Sequence, residues 1–211
     1  MKLYLDMISS AASRVRIALA LKGLAVETQA VTILGTAADN RQPEYLRVNP
    51  QGLVPALLTD RGALLTQSLA IVEYLDELHP EPRLLPEDIE DRAFSRSIAL
   101  AVASEIHPLL PPRVAARLSA IQGVGPDEVA VWNRHWITEG MTAIEARIAG
   151  RRTGPFVVGD RPSVADIFLF PQAINSERAG LPLDQWPSIA DVVSRLRDIP
   201  AFAANAPAPR K

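Results

Sequence analysis

The sequence predicts a mixed fold class, in which an α/β domain is followed by an all-α domain. Near the amino terminus, two stretches alternate apolar and polar residues with a period of two, and a helical stretch separates them. Such alternation is typical of strands with one buried face, and a strand–helix–strand unit usually places its strands parallel. Beyond residue 88 few windows alternate in this way, while stretches with helical spacing recur. This change of pattern indicates a second, helical domain.

The first elements form the strand–helix–strand unit. Residues 3–7 alternate between apolar and polar side chains, which predicts a strand that ends near Met7. From about Ala12 the apolar residues follow helical spacing, and Gly23 provides a natural carboxy-terminal stop. Alternation returns over residues 26–33, so a second strand is expected there.

A short helix, a hairpin and a longer helix follow in the sequence. Pro50 permits only a short helix over the residues before it. The stretch VPALLTDRGALLTQS has two apolar runs that the turn DRG separates, and this arrangement predicts a hairpin. Apolar residues then recur at helical spacing after Ser68 until Pro80 ends the helix. The predicted order of the first domain is therefore βαβ, short helix, ββα.

A proline-rich stretch separates the two predicted domains. HPEPRLLPED carries three prolines in seven positions, a composition that suits a stiff connection. We therefore expect a first domain over residues 1–80, a linker over 81–87 and a helical domain over 88–211. Pro171 is expected to bend its helix, and the final APAPRK is expected to fray. The expected helices of the second domain cover residues 88–107, 113–121, 127–149, 163–179 and 188–198.

Composition excludes several classes of partner and site. The 211 residues carry 22 Lys and Arg against 24 Asp and Glu, and the net charge of −2 provides no field that attracts nucleic acid or an anionic membrane. Cysteine is absent, which excludes disulfides and thiolate metal sites and requires any sulfur nucleophile to arrive with a ligand. No signal peptide or long apolar run is evident, so we expect a cytoplasmic protein with a small-molecule substrate and no metal.

Three loop positions carry the candidate functional residues. Val54 precedes a proline at the start of a strand, where its N–H and C=O can pair with a peptide-like ligand. Gln67 and Ser68 stand at the start of a helix, whose first N–H groups can hold a carboxylate. Ser9 and Ser10 lie between the first strand and the first helix, where a hydroxyl and the positive helix end stabilise a thiolate. Each feature alone is common as a strand start or a cap, but in a βαβ-ββα sheet the three converge at one end.

Several longer motifs resemble one enzyme family. SSAASRVRIALALKG, NPQGLVPALL, TQSLAIVEYLDE and VGDRPSVADIFLFPQ are similar to stretches of the glutathione transferases, specifically the zeta class, which includes the maleylacetoacetate and maleylpyruvate isomerases. The similarity runs through nearly the whole chain. It implies a thioredoxin-like amino-terminal domain, a helical carboxy-terminal domain, glutathione as the cofactor and a homodimer. The implied activity is glutathione-dependent cis–trans isomerisation in the catabolism of aromatic compounds.

The resemblance also implies roles for the residues at the three loop positions. Ser9 would orient and activate the glutathione sulfur as the catalytic hydroxyl, and Ser10 would assist it. The backbone of Val54 would pair with the cysteinyl residue of glutathione. Gln67 and Ser68 would hold the γ-glutamyl end. These five residues form the core of the implied site.

Further residues enter through the resemblance alone. Asn40 aligns with a polar position near the glycyl end of glutathione, and His107 aligns with a residue that lines the cofactor cleft from the helical domain. Arg113 and Arg178 align with arginines that bind the carboxylates of the substrate. The stretch SVAD at 163–166 matches a buried capping box, which implies a structural role rather than a catalytic one.

Two positions of the turn formed by residues 8–11, the serine turn, depart from the pattern of the family. Ile8 stands where zeta enzymes usually carry an arginine, and Ala11 stands where they usually carry a cysteine. The change at position 8 removes a guanidinium that can bind a carboxylate with two hydrogen bonds. Two alternatives to isomerisation therefore stay open. One is conjugation, dehalogenation or thioether cleavage on a more apolar substrate, and the other is non-enzymatic ligand binding on the same fold.

Overall fold

The computed structural model describes residues 1–35 and 37–209, with the side chain of Gln122 left out. The chain divides into two compact units. One runs from Met1 to Leu84 and includes the carboxy-terminal segment from Ala204, and the other comprises Leu85–Ala203. The division falls inside the proline-rich connection, but the carboxy-terminal segment belongs to the first unit and not to the helical domain in which the sequence placed it.

The first unit has the predicted element order. The elements of this unit are β1 (Lys2–Leu5), α1 (Ser10–Leu21), β2 (Glu27–Ala30), α2 (Pro43–Val48), β3 (Ala56–Leu58), β4 (Leu64–Thr66) and α3 (Ser68–Leu78). The strand order is β2-β1-β3-β4, in which β1 runs parallel to β2 and antiparallel to β3, and β3 and β4 form the hairpin. The predicted βαβ, short helix, ββα arrangement is therefore confirmed.

Strand β1 ends at Leu5 rather than near Met7. Helix α1 and strand β2 also differ in length from the prediction, and side-chain contacts explain these two differences. Helix α1 begins at Ser10 rather than near Ala12, because the Ser9 hydroxyl accepts a hydrogen bond from the Ala12 N–H at 3.2 Å and caps the helix. Strand β2 ends before residue 33, because the Ile33 N–H donates to the Asp6 carboxylate at 3.0 Å rather than to a strand. The apolar residues beyond β2 therefore pack without extending the sheet.

A buried lysine joins the ends of α1 and α3. The Lys22 side chain is fully buried, and its Nζ lies 2.7 Å from Oδ1 of Asp76. The same Nζ donates to the carbonyls of His79 and Pro82, at 2.6 and 2.8 Å. Asp76 also accepts from the Leu84 N–H at 2.9 Å. A buried ammonium with three oxygen partners has its charge and its donors satisfied, so this network holds the end of the first unit together.

The second unit is helical, as predicted. The α-helices of this unit are α4 (Ile89–Leu100), α5 (Pro112–Gln122), α6 (Pro126–Ala149), α7 (Val164–Arg178), α8 (Pro187–Arg197) and α9 (Pro200–Ala203). The first predicted helix continues beyond α4 as a π-helical turn over Ala101–Ile106 and a short 3₁₀ turn over His107–Leu109. Pro112 is the first residue of α5, and α7 runs through Pro171 without interruption. Across the described residues, no helix has both the length and the apolar character that crossing a membrane requires.

The predicted capping box begins α7. The buried carboxylate of Asp166 accepts from the N–H and the hydroxyl of Ser163, at 2.8 and 2.9 Å. It also accepts from the Val157 N–H at 3.0 Å. Burial raises the pKa of Asp166 from its ordinary value of 3.8 to about 6, although the hydrogen bonds act in the opposite direction. The structural role that the sequence implied for this stretch is therefore confirmed.

The carboxy-terminal segment packs on the first unit, so the prediction that it frays is wrong for the residues that the structure describes. The Ser13 hydroxyl donates to the Asn205 carbonyl at 2.5 Å, and Arg16 donates to the carbonyls of Asn205 and Ala206. The Ala208 N–H donates to the Met7 carbonyl at 2.8 Å. The last two residues of APAPRK lie outside the described part. Sequence analysis did not predict this packing, because the hydrogen bonds of the segment go to α1 and to Met7, which lie far from it along the chain.

Candidate active site

The turn between β1 and α1 carries the two predicted catalytic serines. Ser9 caps α1, its backbone N–H donates to the Asp6 carbonyl at 3.1 Å, and its side chain is largely buried. Ser10 is the first residue of the helix, and the first turn contains no acidic side chain. The positive end of the helix macrodipole therefore faces the two serines, and no acidic side chain of the helix's own first turn neutralises it. Such a site favours a thiolate over a thiol.

The residues before β3 hold Val54 in a defined place. The Leu53 carbonyl accepts from the Tyr45 hydroxyl at 2.7 Å and from the Asn49 amide at 2.8 Å. The Val54–Pro55 peptide bond is cis. Among the hydrogen bonds between described residues, none involves the backbone N–H or carbonyl of Val54. A peptide-like ligand can therefore pair with both groups, as the sequence predicts.

The start of α3 combines a strained residue with a buried hydroxyl. Gln67 has φ 68° and ψ 119°, and among the described residues it is the one non-glycine residue with a positive φ. A side chain rarely adopts this backbone conformation, and such strain occurs most often at ligand-binding sites. Ser68 is the first residue of α3 and is 6% exposed. Its N–H is one of the first four of the helix, which have no acceptor within the helix.

The sequence analysis missed Arg14, a buried arginine that contacts this helix start. Its side chain is 1% exposed, and its Nη1 donates to the Ser68 hydroxyl at 3.2 Å. Burial lowers the pKa of Arg14 to about 9. One sequence signal does place it: Arg14 follows Ser10 by four residues, so both lie on one face of α1. The contact brings the start of α1 close to the start of α3.

Asn40 has a structural contact in this part of the chain. Its Nδ2 donates to the Gly52 carbonyl at 2.8 Å. Gly52 has φ 61°, and a Cβ at that position would lie 2.8 Å from the Asn40 carbonyl oxygen. Asn40 therefore holds the loop that leads to Val54, and only glycine fits opposite it. Its predicted role at the glycyl end of glutathione stays a prediction.

The second unit contains the other three predicted residues. His107 is half-buried and begins the 3₁₀ turn that follows the π-helical turn. Single π-helical turns occur frequently at functional sites. Arg113 lies in the first turn of α5 and Arg178 is the last residue of α7, and both side chains are exposed. These three residues lie on three different elements, and their predicted roles in binding glutathione and the substrate stay predictions.

Known protein families and relatives match this chain over most of its length. The family models for the N-terminal and C-terminal domains of glutathione S-transferase match residues 8–78 and 137–198. A maleylacetoacetate isomerase of Pseudomonas aeruginosa is 44% identical over 210 residues, which cover 99% of this chain and 96% of the relative. A maleylacetoacetate isomerase of Rhizobium meliloti is 43% identical over 194 residues, which cover 92% and 90%.

Solved structures show the same similarity over the whole chain. A holo structure of maleyl pyruvate isomerase, described as a bacterial glutathione S-transferase in the zeta class, has a TM-score of 0.93 and 36% identity, and the match covers 100% of this chain and 98% of that one. A maleylacetoacetate isomerase from Methylobacterium extorquens AM1, with bound malonate and glutathione, has a TM-score of 0.92 and 36% identity at the same coverage. The chain therefore belongs to the glutathione transferase family, in the zeta-class branch that holds the maleylacetoacetate isomerases.

Proposed function

We propose that the protein is a glutathione-dependent cis–trans isomerase that acts on a substrate of the maleylacetoacetate or maleylpyruvate type. The observation that carries the proposal is a set of groups in the first unit that can bind a peptide-like ligand. The set contains the start of α1, which Ser9 caps, and the backbone N–H and carbonyl of Val54, which have no hydrogen-bond partner among the described residues. It also contains the start of α3, where Gln67 has a positive φ. Relatives that share this chain's length and family carry the isomerase names.

The groups in the first unit fit glutathione. Glutathione is a tripeptide with a backbone that can pair with a strand edge, a carboxylate at its γ-glutamyl end and a thiol between them. Val54 offers a backbone donor and acceptor, the start of α3 offers N–H donors for a carboxylate, and the start of α1 offers a hydroxyl for the sulfur. A cysteine-free chain also needs a ligand to supply sulfur chemistry.

When bound, glutathione would supply a sulfur nucleophile for reversible addition to the activated double bond, which would become single, rotate and re-form on elimination with glutathione unchanged. The Ser9 hydroxyl would donate a hydrogen bond to this sulfur, with Ser10 beside it, and the positive end of α1 would favour its ionised form. Val54 would orient the cysteinyl residue through its backbone. Gln67 and Ser68 would hold the γ-glutamyl end, so that the sulfur stays at the serine turn.

The substrate would be a carboxylate, which Arg113 and Arg178 would bind as the resemblance implies. A guanidinium at the substrate would also stabilise negative charge that develops on it during the reaction. Ile8 and Ala11 replace the usual arginine and cysteine, so these two positions contribute neither a positive charge nor a thiol. We expect weaker binding of dicarboxylates than in relatives that carry that arginine. We also expect a homodimer, which analytical ultracentrifugation tests.

An isomerisation assay with matched serine variants tests the proposal. Maleylpyruvate isomerisation is measured with and without glutathione, for wild type, Ser9→Ala, Ser9→Thr and Ser13→Ala. We expect Ser9→Ala to lower the glutathione-dependent rate by about 10²- to 10⁴-fold and Ser9→Thr to retain most of it. Ser13 is a buried serine of the same helix whose hydroxyl bonds to Asn205, so its variant controls for general damage to α1. A rate that is independent of glutathione would refute the proposal.

A second candidate function is glutathione conjugation or thioether cleavage on an apolar substrate. Ile8 and Ala11 favour it, because they make the serine turn more apolar than in relatives with arginine and cysteine at these positions. A screen with aryl halides and β-aryl ethers distinguishes the two reactions. Turnover of these compounds without turnover of maleylpyruvate would favour the second candidate.

A further inference from the structure

Arg14 is a buried charged side chain to which the proposed reaction assigns no role. It lies on α1, is 1% exposed, and donates from Nη1 to the Ser68 hydroxyl at 3.2 Å. Burial of a guanidinium is costly, so its presence between two helices needs a physical reason. We propose that Arg14 is a positioning residue that prepares Ser68 to bind the γ-glutamyl carboxylate of glutathione. This inference rests on the proposed function, because it assumes that Ser68 contacts that carboxylate.

The contact determines which way the Ser68 hydroxyl can donate. A serine hydroxyl has one proton to donate and two lone pairs that accept, whereas a guanidinium has donors only. Arg14 therefore occupies a lone pair of the Ser68 oxygen, which leaves the Ser68 proton available for a different acceptor. A carboxylate has acceptors only. The Arg14 contact thus makes Ser68 a ready donor for an anion.

The charge of Arg14 acts in the same direction. With a pKa of about 9, its guanidinium stays protonated at neutral pH. Ser68 is the first residue of α3, so the backbone N–H groups and the positive end of that helix lie at the same place. A buried charge is screened much less by salt than a surface charge. The start of α3 therefore carries a positive potential that favours a carboxylate over a neutral group.

A pair of ligands that differ by one carboxylate tests the inference. Calorimetry measures the dissociation constants of glutathione and of its analogue with γ-aminobutyryl in place of γ-glutamyl, which keeps the amine and lacks that carboxylate. We expect wild type to prefer glutathione by about 10- to 100-fold. Arg14→Met should reduce this preference by about tenfold, whereas Arg14→Lys, which keeps the charge, should retain more of it than Arg14→Met. In a Ser68→Ala background the hydroxyl that Arg14 contacts is absent, so Arg14→Met should lower the preference by less than threefold.

Arg16 provides the matched control. It is the same residue type on the same helix, is 9% exposed, and donates to the carbonyls of Asn205 and Ala206 instead of to Ser68. Arg16→Met should leave the preference between the two ligands unchanged. The ratio of two dissociation constants cancels a general loss of folded protein, and Arg14→Gln, which is neutral and polar, replaces Arg14→Met if the latter does not fold.

The outcomes separate this inference from the proposed function. An unchanged preference in Arg14→Met, or an equal loss in Arg16→Met, would overturn the role of Arg14 while wild type still binds glutathione. Loss of the preference in Arg14→Met but not in Arg16→Met supports it. A wild-type protein that binds neither ligand would overturn the proposed function and this inference with it.

Discussion

Replacement of Gln67 by glycine should give a higher free energy of unfolding than replacement by alanine, and both changes should weaken the binding of glutathione. Gln67 has φ 68° and ψ 119°, a conformation that a residue with a Cβ adopts at a cost of about 1–3 kcal/mol. Glycine removes that strain but loses about 0.5–1 kcal/mol more conformational entropy on folding. We therefore expect Gln67→Gly to be about 0.5–2 kcal/mol more stable than Gln67→Ala, which keeps the Cβ.

The alanine variant isolates the strain from the side chain. The Gln67 side chain is exposed, and its one recorded partner is Gln51 at 3.5 Å, which is at the limit of a hydrogen bond. Both variants lose this contact and the amide that is proposed to hold the γ-glutamyl end. Their binding of glutathione should therefore weaken to the same extent, while their stabilities differ.

Urea unfolding, followed by far-ultraviolet circular dichroism, measures the stability of both variants, and calorimetry measures glutathione binding. The three tryptophans all lie in the second unit, so fluorescence reports that unit while circular dichroism reports the first as well. The reasoning would be refuted by an alanine variant that is as stable as the glycine variant. Such a result would mean that the positive φ at Gln67 stores no strain.

Three further predictions concern contacts elsewhere in the chain. Lys22→Met should destabilise the first unit by about 3–5 kcal/mol in urea unfolding, because the largely buried Asp76 carboxylate is left without its cation; Asp76→Leu added to it should restore part of the loss. The Asp166 pKa lies higher in the folded state than its ordinary 3.8, so its contribution to stability is complete below about pH 4 and is lost as the pH rises through about 6. Between these values wild type should lose about 3 kcal/mol relative to Asp166→Asn, and parallel stability curves for the two proteins would contradict this. Deletion of the segment from Ala204 removes the carbonyls that Arg16 binds, and it should destabilise the protein by about 1–3 kcal/mol and weaken glutathione binding; unchanged urea midpoint and affinity would count against it.

Periodicity predicted the elements whose burial repeats along the chain. Helices α6 and α8 begin and end within one residue of the predicted ranges 127–149 and 188–198. Strand β2 was predicted too long because the apolar residues that suggested a longer strand lie outside it. The four residues that do form the strand are all exposed. The π-helical turn over Ala101–Ile106 was not predicted, since a change of helix type leaves the apolar spacing almost unaltered.

Residue type and position relative to the predicted helices indicated part of the candidate site. The residues Ser9 and Ser68 could be found because a serine at a helix start has a recognisable position in the sequence. Asn40 and Gln67 were named, but their geometry was not: the contact of Asn40 with Gly52 and the positive φ of Gln67 depend on how the loops fold.

The sequence by itself determined the fold class, the absence of a protein thiol and the serine turn at the start of α1, because each follows from residue type and local spacing. Only the tertiary structure decided that Arg14 lies against Ser68, 54 residues away, and that the carboxy-terminal segment returns to Met7. Contacts of this kind join residues with no shared local pattern. They arise when packing excludes water around polar groups, which then need partners wherever the fold supplies them.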